Sequence, residues 1–245
     1  MEAKLTFSTT VTYGDVDRNE VLSLPGLFRL LQEGAIRHAN LFDAGTRTKE
    51  TRGESWVLNR IAVAVARHPH YEDALRVETW SAGIRGFRGY REFRVFCDGD
   101  TPVASGSSLW LYVNLKSKAL VRVPEDILAT FPRGGGDGGI FEPELERLAL
   151  PPPGADAAAV EVSVRYSDVD ANNHVNNTAY FDFLQTALAR AGLPTLVKAV
   201  RIKFAKEIPP DAARVTVRLE KQDGGRVPFS VEGGGEVFAQ GMALL

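Results

Sequence analysis

Between Tyr166 and Gly192 the chain reads YSDVDANNHVNNTAYFDFLQTALARAG, with Asp168, Asp170, Asn172 and His174 at alternate positions across seven residues. A carboxylate, an amide and an imidazole can together take up, orient and pass on a proton. Apolar residues at helical spacing follow at once, which predicts a helix beginning near Asn176 or Asn177. The free N–H groups and positive dipole end of such a helix suit an oxygen that gains negative charge. A plainer reading stands beside this one: Asp and Asn ahead of a helix favour local backbone hydrogen bonds as turn or cap residues.

The elements that must position these groups occur twice. Tyr13, Asp15, Val16, Asp17 and Asn19 match Tyr166, Asp168, Val169, Asp170 and Asn172 at a constant offset of 153 residues, and Leu31 and Gln32 match Leu184 and Gln185 at the same offset. After the first polar turn, Ser23 and Pro25 read as a helix start, and Leu27, Phe28, Leu31, Ala35 and Ala39 recur at helical spacing, giving a helix over roughly 24 to 41. Downstream, IAVAVARHPHYEDALRVET (61 to 79) and VRIKFAKEIPPDAARVTVR (200 to 218) each predict a strand, a proline-bearing acidic turn and a second strand. Val63, Val65 and Ala66 fall against Ile202, Phe204 and Ala205 at an offset of 139, so the first copy carries about 14 extra residues around TRTKETRGES, a polar loop or short helix.

Further strands are predicted over roughly 75 to 83, 87 to 97 and 103 to 115 in the first copy, and 214 to 221, 226 to 232 and 236 to 244 in the second. Both copies follow one plan: strand, helix, antiparallel meander. The boundaries are 1 to 131 for the first domain, 132 to 155 for a linker containing PRGGGDGG and PPPGAD, and 156 to 245 for the second domain. A phosphate-cradling loop is disfavoured there because no Gly-Lys-Ser/Thr follows.

The net charge of −2 argues against a nucleic-acid role, and 44% hydrophobic residues can fill a core. Cys97 is the single cysteine, which excludes an intrachain disulfide. The N-terminus lacks a basic-then-apolar signal and no apolar run is long enough to span a bilayer, so a cytoplasmic protein without a membrane segment is expected. His68 and His70 form an H-P-H without further partners at ligand spacing, and no metal is expected.

A helix preceded by D-x-D-x-N-x-H-V-N-N and followed by a meander, twice in one chain, resembles the acyl-ACP thioesterases, through LPGLFRLLQEGAIRHA and SWVLNRIAV in the first half and SDVDANNHVNNTAYFDFL in the second. The resemblance implies an α+β fold of two tandem hotdog domains, each an antiparallel sheet wrapped around a central helix, packed as a pseudo-dimer. It implies release of fatty acids from acyl carrier protein, with Asp170, Asn172 and His174 in the second hotdog and Glu207, in KFAKEI, from the end of the following strand. Plant members carry a cysteine right after that glutamate; here the position is Ile208, and Cys97 lies in the other copy, so thiol chemistry is not expected. No metal or redox cofactor is implied.

In such a site Asp170 would activate water or attack directly through a transient anhydride, Asn172 would orient water or the carbonyl, His174 would bond the carboxylate or shuttle the proton, and Glu207 would position the water. Asn176 and Asn177 would meet the substrate at the helix start. The first copy keeps Asp15, Asp17 and Asn19 but has Val21 opposite His174 and His68 opposite Glu207, so one active centre per chain is expected, with Asp168 as scaffold. Leu27, Phe28, Leu31, Trp56 and Leu58 would line an acyl-chain tunnel, or are ordinary core. Lys198, Arg201 and Lys203 would meet the carrier or a CoA phosphate, or form a solvated strand face. Acyl-CoA hydrolysis and a non-catalytic acyl-binding module are the alternatives, and the chain would be a monomer or a homodimer.

Overall fold

The computed structural model describes residues 3–132, 134 and 139–245. Helix α1 (Leu24–Asn40) starts where the sequence puts it, because Ser23 Oγ accepts the Gly26 N–H at 3.1 Å and Pro25 needs no donor partner in the first turn. Its buried stripe is Leu24, Leu27, Phe28, Leu31 and Ala35. A short helix, α2 (Arg47–Arg52), fills the polar insertion of the first copy. The helix of the second copy, α4 (Ala179–Arg190), begins two to three residues later than predicted. Asn176 Oδ1 accepts both the backbone N–H and the hydroxyl of Thr178 at 2.8 Å, so residues 176 to 178 form a turn instead of a first helical turn.

The strands are β1 (Lys4–Thr10), β2 (Glu54–Val65), β3 (Ala74–Arg85), β4 (Arg88–Cys97) and β5 (Pro102–Asn114), then β6 (Ala158–Ser163), β7 (Ala199–Phe204), β8 (Arg214–Leu219), β9 (Arg226–Gly233) and β10 (Glu236–Leu244). They form one antiparallel sheet in the order β1-β3-β4-β5-β2-β7-β10-β9-β8-β6. One face of it packs on α1 and α4 in a continuous core that includes Leu31, Val77, Phe93, Leu184, Ile202 and Phe229. Each half is a strand, a helix and a meander curled around that helix, which is the hotdog plan twice over in an α+β chain.

The halves join where β2 pairs with β7, from Arg60 opposite Lys203 to Ala64 opposite Ala199. At the middle of this seam Ala62 pairs with Arg201, and these two residues are each other's counterparts at the 139-residue offset. The seam is therefore a local two-fold. No helix of the described residues is long and apolar enough to cross a membrane.

Two elements were not foreseen. Helix α3 (Glu125–Thr130) follows β5, and its Ile127 packs with Phe42, Tyr112 and Phe131 in a second apolar cluster. The segment read as a plain linker is a strap over the outer face of the sheet; of its glycine-rich start, residues 133 and 135–138 lie outside the described residues. Phe141 N–H donates to Glu92 on β4 at 2.8 Å and Glu142 N–H to Ser107 on β5 at 2.9 Å. Leu145, 4% exposed, packs on Ala62 of β2 and Leu109 of β5. Glu142 takes Arg201 of β7 at 3.2 Å, Gln240 of β10 donates to the Leu150 carbonyl, and Arg218 of β8 donates to the carbonyls of Gly154 and Ala155. The strap thus crosses the outer face of the sheet from β4 to β8.

Candidate active site

The centre is built on a tight polar turn. Asp170 Oδ1 accepts the Asn172 backbone N–H at 2.8 Å, and its Oδ2 accepts the Asn172 side-chain amide at 3.1 Å. Asp17 and Asn19 in the first half make the same two bonds at the same distances. The Asp-x-Asn turn is therefore a local fold device in both copies. The second half adds a third donor, the Asn176 amide, at 3.1 Å from Asp170 Oδ2. Its counterpart at the 153-residue offset is Ser23, which instead caps α1. Asp170 is half-buried and Asn172 is exposed.

Asp168 is 4% exposed and takes three donors from Arg165: the backbone N–H at 2.7 Å, Nη2 at 2.7 Å and Nε at 3.0 Å. Its backbone carbonyl receives the Asn176 N–H at 2.8 Å. A carboxylate saturated in this way holds the turn against the helix entry.

His174 and Glu207 form the other side of the centre. Glu207 lies three residues beyond the end of β7, in the stretch where Ala205 and Lys206 both bond to the Phe238 carbonyl, and not within the strand. Its Oε1 is 3.9 Å from His174 Nε2. His174 Nδ1 sits 3.2 Å from the Val175 carbonyl. Among the described residues no side-chain hydrogen bond joins His174 to Asp170; the link between them is the Asp170 N–H donating to the His174 carbonyl at 3.1 Å. Asp170 with Asn172 and Asn176 is thus one hydrogen-bonded group, and His174 with Glu207 is an adjacent one.

Two further groups come from the first half. Lys118, in the turn after β5, donates to both Glu207 oxygens at 3.1 Å. Lys49, on α2, donates to Asn172 Oδ1. Sequence reasoning missed both, although the extra residues carrying Lys49 were visible as the difference between the two offsets.

The remaining expected residues fall in three places. Leu27, Phe28, Leu31 and Leu58 are 2 to 7% exposed within the main core, while half-buried Trp56 packs on Tyr112 in the second cluster at 4.9 Å between ring centroids. Asn177 lies half-buried at the helix entry. Val200, Ile202 and Phe204 are buried toward the helices, so Arg201 and Lys203 project from the opposite face of β7. Arg201 is held there by the strap's Glu142, and Lys198 donates to the Leu245 carbonyl at 3.0 Å. These three basic residues are not at the mouth of the polar centre.

Cys97 is buried, and burial followed by hydrogen bonds to Asp73 and Asp98 pushes its thiol up to about 11. It is held as a thiol, far from a nucleophilic thiolate. Ile208, next to Glu207, is fully buried and receives the Val175 N–H through its carbonyl. His68, opposite Glu207 in the duplication, is held below the ordinary histidine value by burial.

Two hotdog halves fused in one chain, with a carboxylate and its amide partners beside an imidazole at the helix entry of the second, define a tandem hotdog protein. The acyl-ACP thioesterase N-terminal domain profile matches residues 3–131 and the C-terminal domain profile residues 154–232. The chain belongs to the acyl-ACP thioesterase family. It is 28% identical over 241 residues to a dodecanoyl-[acyl-carrier-protein] hydrolase of Cinnamomum camphora, covering 91% of this chain and 63% of that protein. It is 26% identical over 212 residues to a palmitoyl-acyl carrier protein thioesterase of Gossypium hirsutum, covering 81% of this chain and 50% of that protein. The chain spans about half the length of the curated relatives it matches. Its fold superposes on the 12:0-ACP thioesterase of Umbellularia californica with a TM-score of 0.86 at 18% identity, over 99% of this chain and 97% of that one.

Proposed function

We propose that this protein hydrolyses fatty acyl-ACP thioesters to the free fatty acid and the carrier thiol, at one centre in its second half. The observation that carries the reading is the Asp170 carboxylate, which accepts three hydrogen bonds from Asn172 and Asn176 beside the His174–Glu207 pair. A carboxylate offers about four acceptor positions, so one remains for a water molecule. The remaining acceptor position suits a bound water, which is the general-base arrangement.

In this scheme Asp170 takes a proton from water as the water oxygen attacks the thioester carbonyl. The carbon–oxygen bond forms and the carbonyl electrons move onto oxygen, where a backbone N–H at the helix entry near Asn177 would meet the charge. Collapse breaks the carbon–sulfur bond, His174 gives its proton to the leaving thiolate with Glu207 supporting the imidazole, and the proton held by Asp170 returns to His174 by way of water. Of the other expected residues, Leu27, Phe28, Leu31, Trp56 and Leu58 support the acyl chain, while Lys198, Arg201 and Lys203 lie away from the mouth and take no part in this scheme. The first half, with Val21 and His68 at the equivalent positions, carries no second centre.

The test is steady-state hydrolysis across matched acyl-ACP and acyl-CoA series with wild type and Asp170→Asn. Turnover of acyl-ACP that Asp170→Asn abolishes supports the reading. Preference for the CoA series moves the assignment to acyl-CoA hydrolysis, and turnover of neither series favours an acyl-binding module.

A further inference from the structure

The first half reaches the centre of the second through two lysines on separate segments. Lys118 is fixed by its turn: it adopts a left-handed backbone with φ of 57°, its N–H donates to the Asn114 carbonyl at 2.9 Å, and Asn114 Oδ1 accepts from Lys116 and Ser117 N–H at 3.1 and 3.0 Å. A non-glycine residue held in this region is costly locally and persists where the surroundings require it. The result sets one ammonium against both oxygens of Glu207, whose Oε1 also lies 3.9 Å from His174 Nε2.

Lys49 acts on the other side. The Asn172 amide donates to Asp170 through Nδ2 and accepts from Lys49 through Oδ1. A rotated amide would turn its NH₂ against the ammonium and its oxygen against the carboxylate, so the two charges together admit one orientation. Asn19 makes the same bonds to Asp17, yet among the described residues no lysine meets its oxygen. Exposed ion pairs of this kind contribute little to stability, so the fold does not require either lysine.

We propose that Lys49 and Lys118 are positioning residues for hydrolysis, by which the half without a centre completes the centre of the other: Lys49 fixes the Asn172 amide toward Asp170, and Lys118 holds Glu207 beside His174. This rests on the hydrolase reading above.

The experiment compares wild type with Lys118→Ala, Lys118→Arg, Lys49→Ala and Lys49→Arg on one acyl-ACP substrate, and records the Asn172 side-chain ¹⁵N–¹H₂ signals. The alanine variants should lose about 10- to 100-fold in kcat with little change in KM, as for a misplaced reacting group, and arginine should restore much of it. Lys118→Ala should add little to the loss already caused by Glu207→Gln. The Asn172 amide signals should move in Lys49→Ala and stay put in Lys118→Ala. Alanine variants with wild-type kcat, or with altered KM alone, would overturn the proposal. If wild type turns over no acyl thioester the hydrolase reading fails, and unmoved Asn172 signals in Lys49→Ala would then overturn the Lys49 role independently.

Discussion

Phe28 and Phe181 lie face to face, with ring centroids 3.4 Å apart and planes 10° from parallel. They are the same position of the two copies, 153 residues apart, so a side chain of α1 packs on its own counterpart in α4. Ala62 and Arg201 repeat the relation in the sheet at the β2–β7 seam. Both are the self-complementary contacts of a two-fold interface. Truncating either ring leaves a cavity against a partner that cannot follow, so Phe28→Ala and Phe181→Ala should each cost about 3 to 5 kcal/mol. The double variant should fall short of the sum by about 1 kcal/mol, measured by urea unfolding. Strict additivity would mean that the rings do not stabilise each other.

Asp17 and Asp170 make matching turns, which separates folding from chemistry. Asp17→Asn and Asp170→Asn should each destabilise by about 1 kcal/mol for the disturbed hydrogen bonds, Asp170→Asn somewhat more because the Asn176 amide also loses its acceptor. Only Asp170→Asn should lower kcat, by about 10²–10⁴-fold for loss of a general base. Equal activity losses in the two variants would contradict a centre confined to the second half.

His38 sets a pH dependence. Burial, then the neighbouring Arg91, holds its imidazole down to about 4, and Arg91 Nη1 approaches Nδ1 at 3.1 Å. The unfolded ring binds a proton below about 6.5 while the folded ring stays neutral until about 4. Stability from this site is full above about 6.5, falls as pH drops toward 4, and is flat below, for at most about 3 kcal/mol. Urea midpoints between pH 7 and 4.5 should fall less steeply in His38→Gln, which keeps an acceptor for Arg91 without titrating.

Trp56 offers a check on the acyl pocket. Gly89 faces it so closely that a Cβ there would sit 2.9 Å from the indole, and the Tyr112 ring lies 4.9 Å away between centroids. Trp56→Ala removes the largest half-buried side chain of that cluster and should shift hydrolysis toward longer acyl chains. An unchanged chain-length profile would confine the cluster to packing.

Leu145 tests the strap. Leu145→Ala should cost about 2 to 3 kcal/mol, since the side chain is buried on Ala62 and Leu109. Because this face is opposite the helices, kcat should stay at the wild-type level.

The sequence made the local elements legible because local chemistry decides them. Ser23 and Pro25 start α1 wherever the rest of the chain goes, and the β-branched residues of IAVAV favour a strand. The turn shared by Asp17 and Asp170 was visible from the duplication alone. What could not be read is pairing over long separations: nothing in β2 names β7 as its neighbour, since both show the same alternation. The strap was masked by its glycines and prolines, although Phe141, Leu145 and Leu148 recur at intervals that suit packing on a surface. Lys49 and Lys118 were hidden for a different reason: a long, flexible, solvated side chain carries no pattern that says where its ammonium ends.

The insertion that forms α2 has a consequence for symmetry. In a homodimer of single hotdogs, every residue is present twice and every device that serves one site is imposed on the other. Joining the copies end to end lifts that restriction. The first half can carry the helix α2 and place Lys49 over Asn172, while among the described residues no lysine meets its own Asn19. An assembly with a two-fold core thereby gains a front and a back, and one half is free to specialise as the setting for the other.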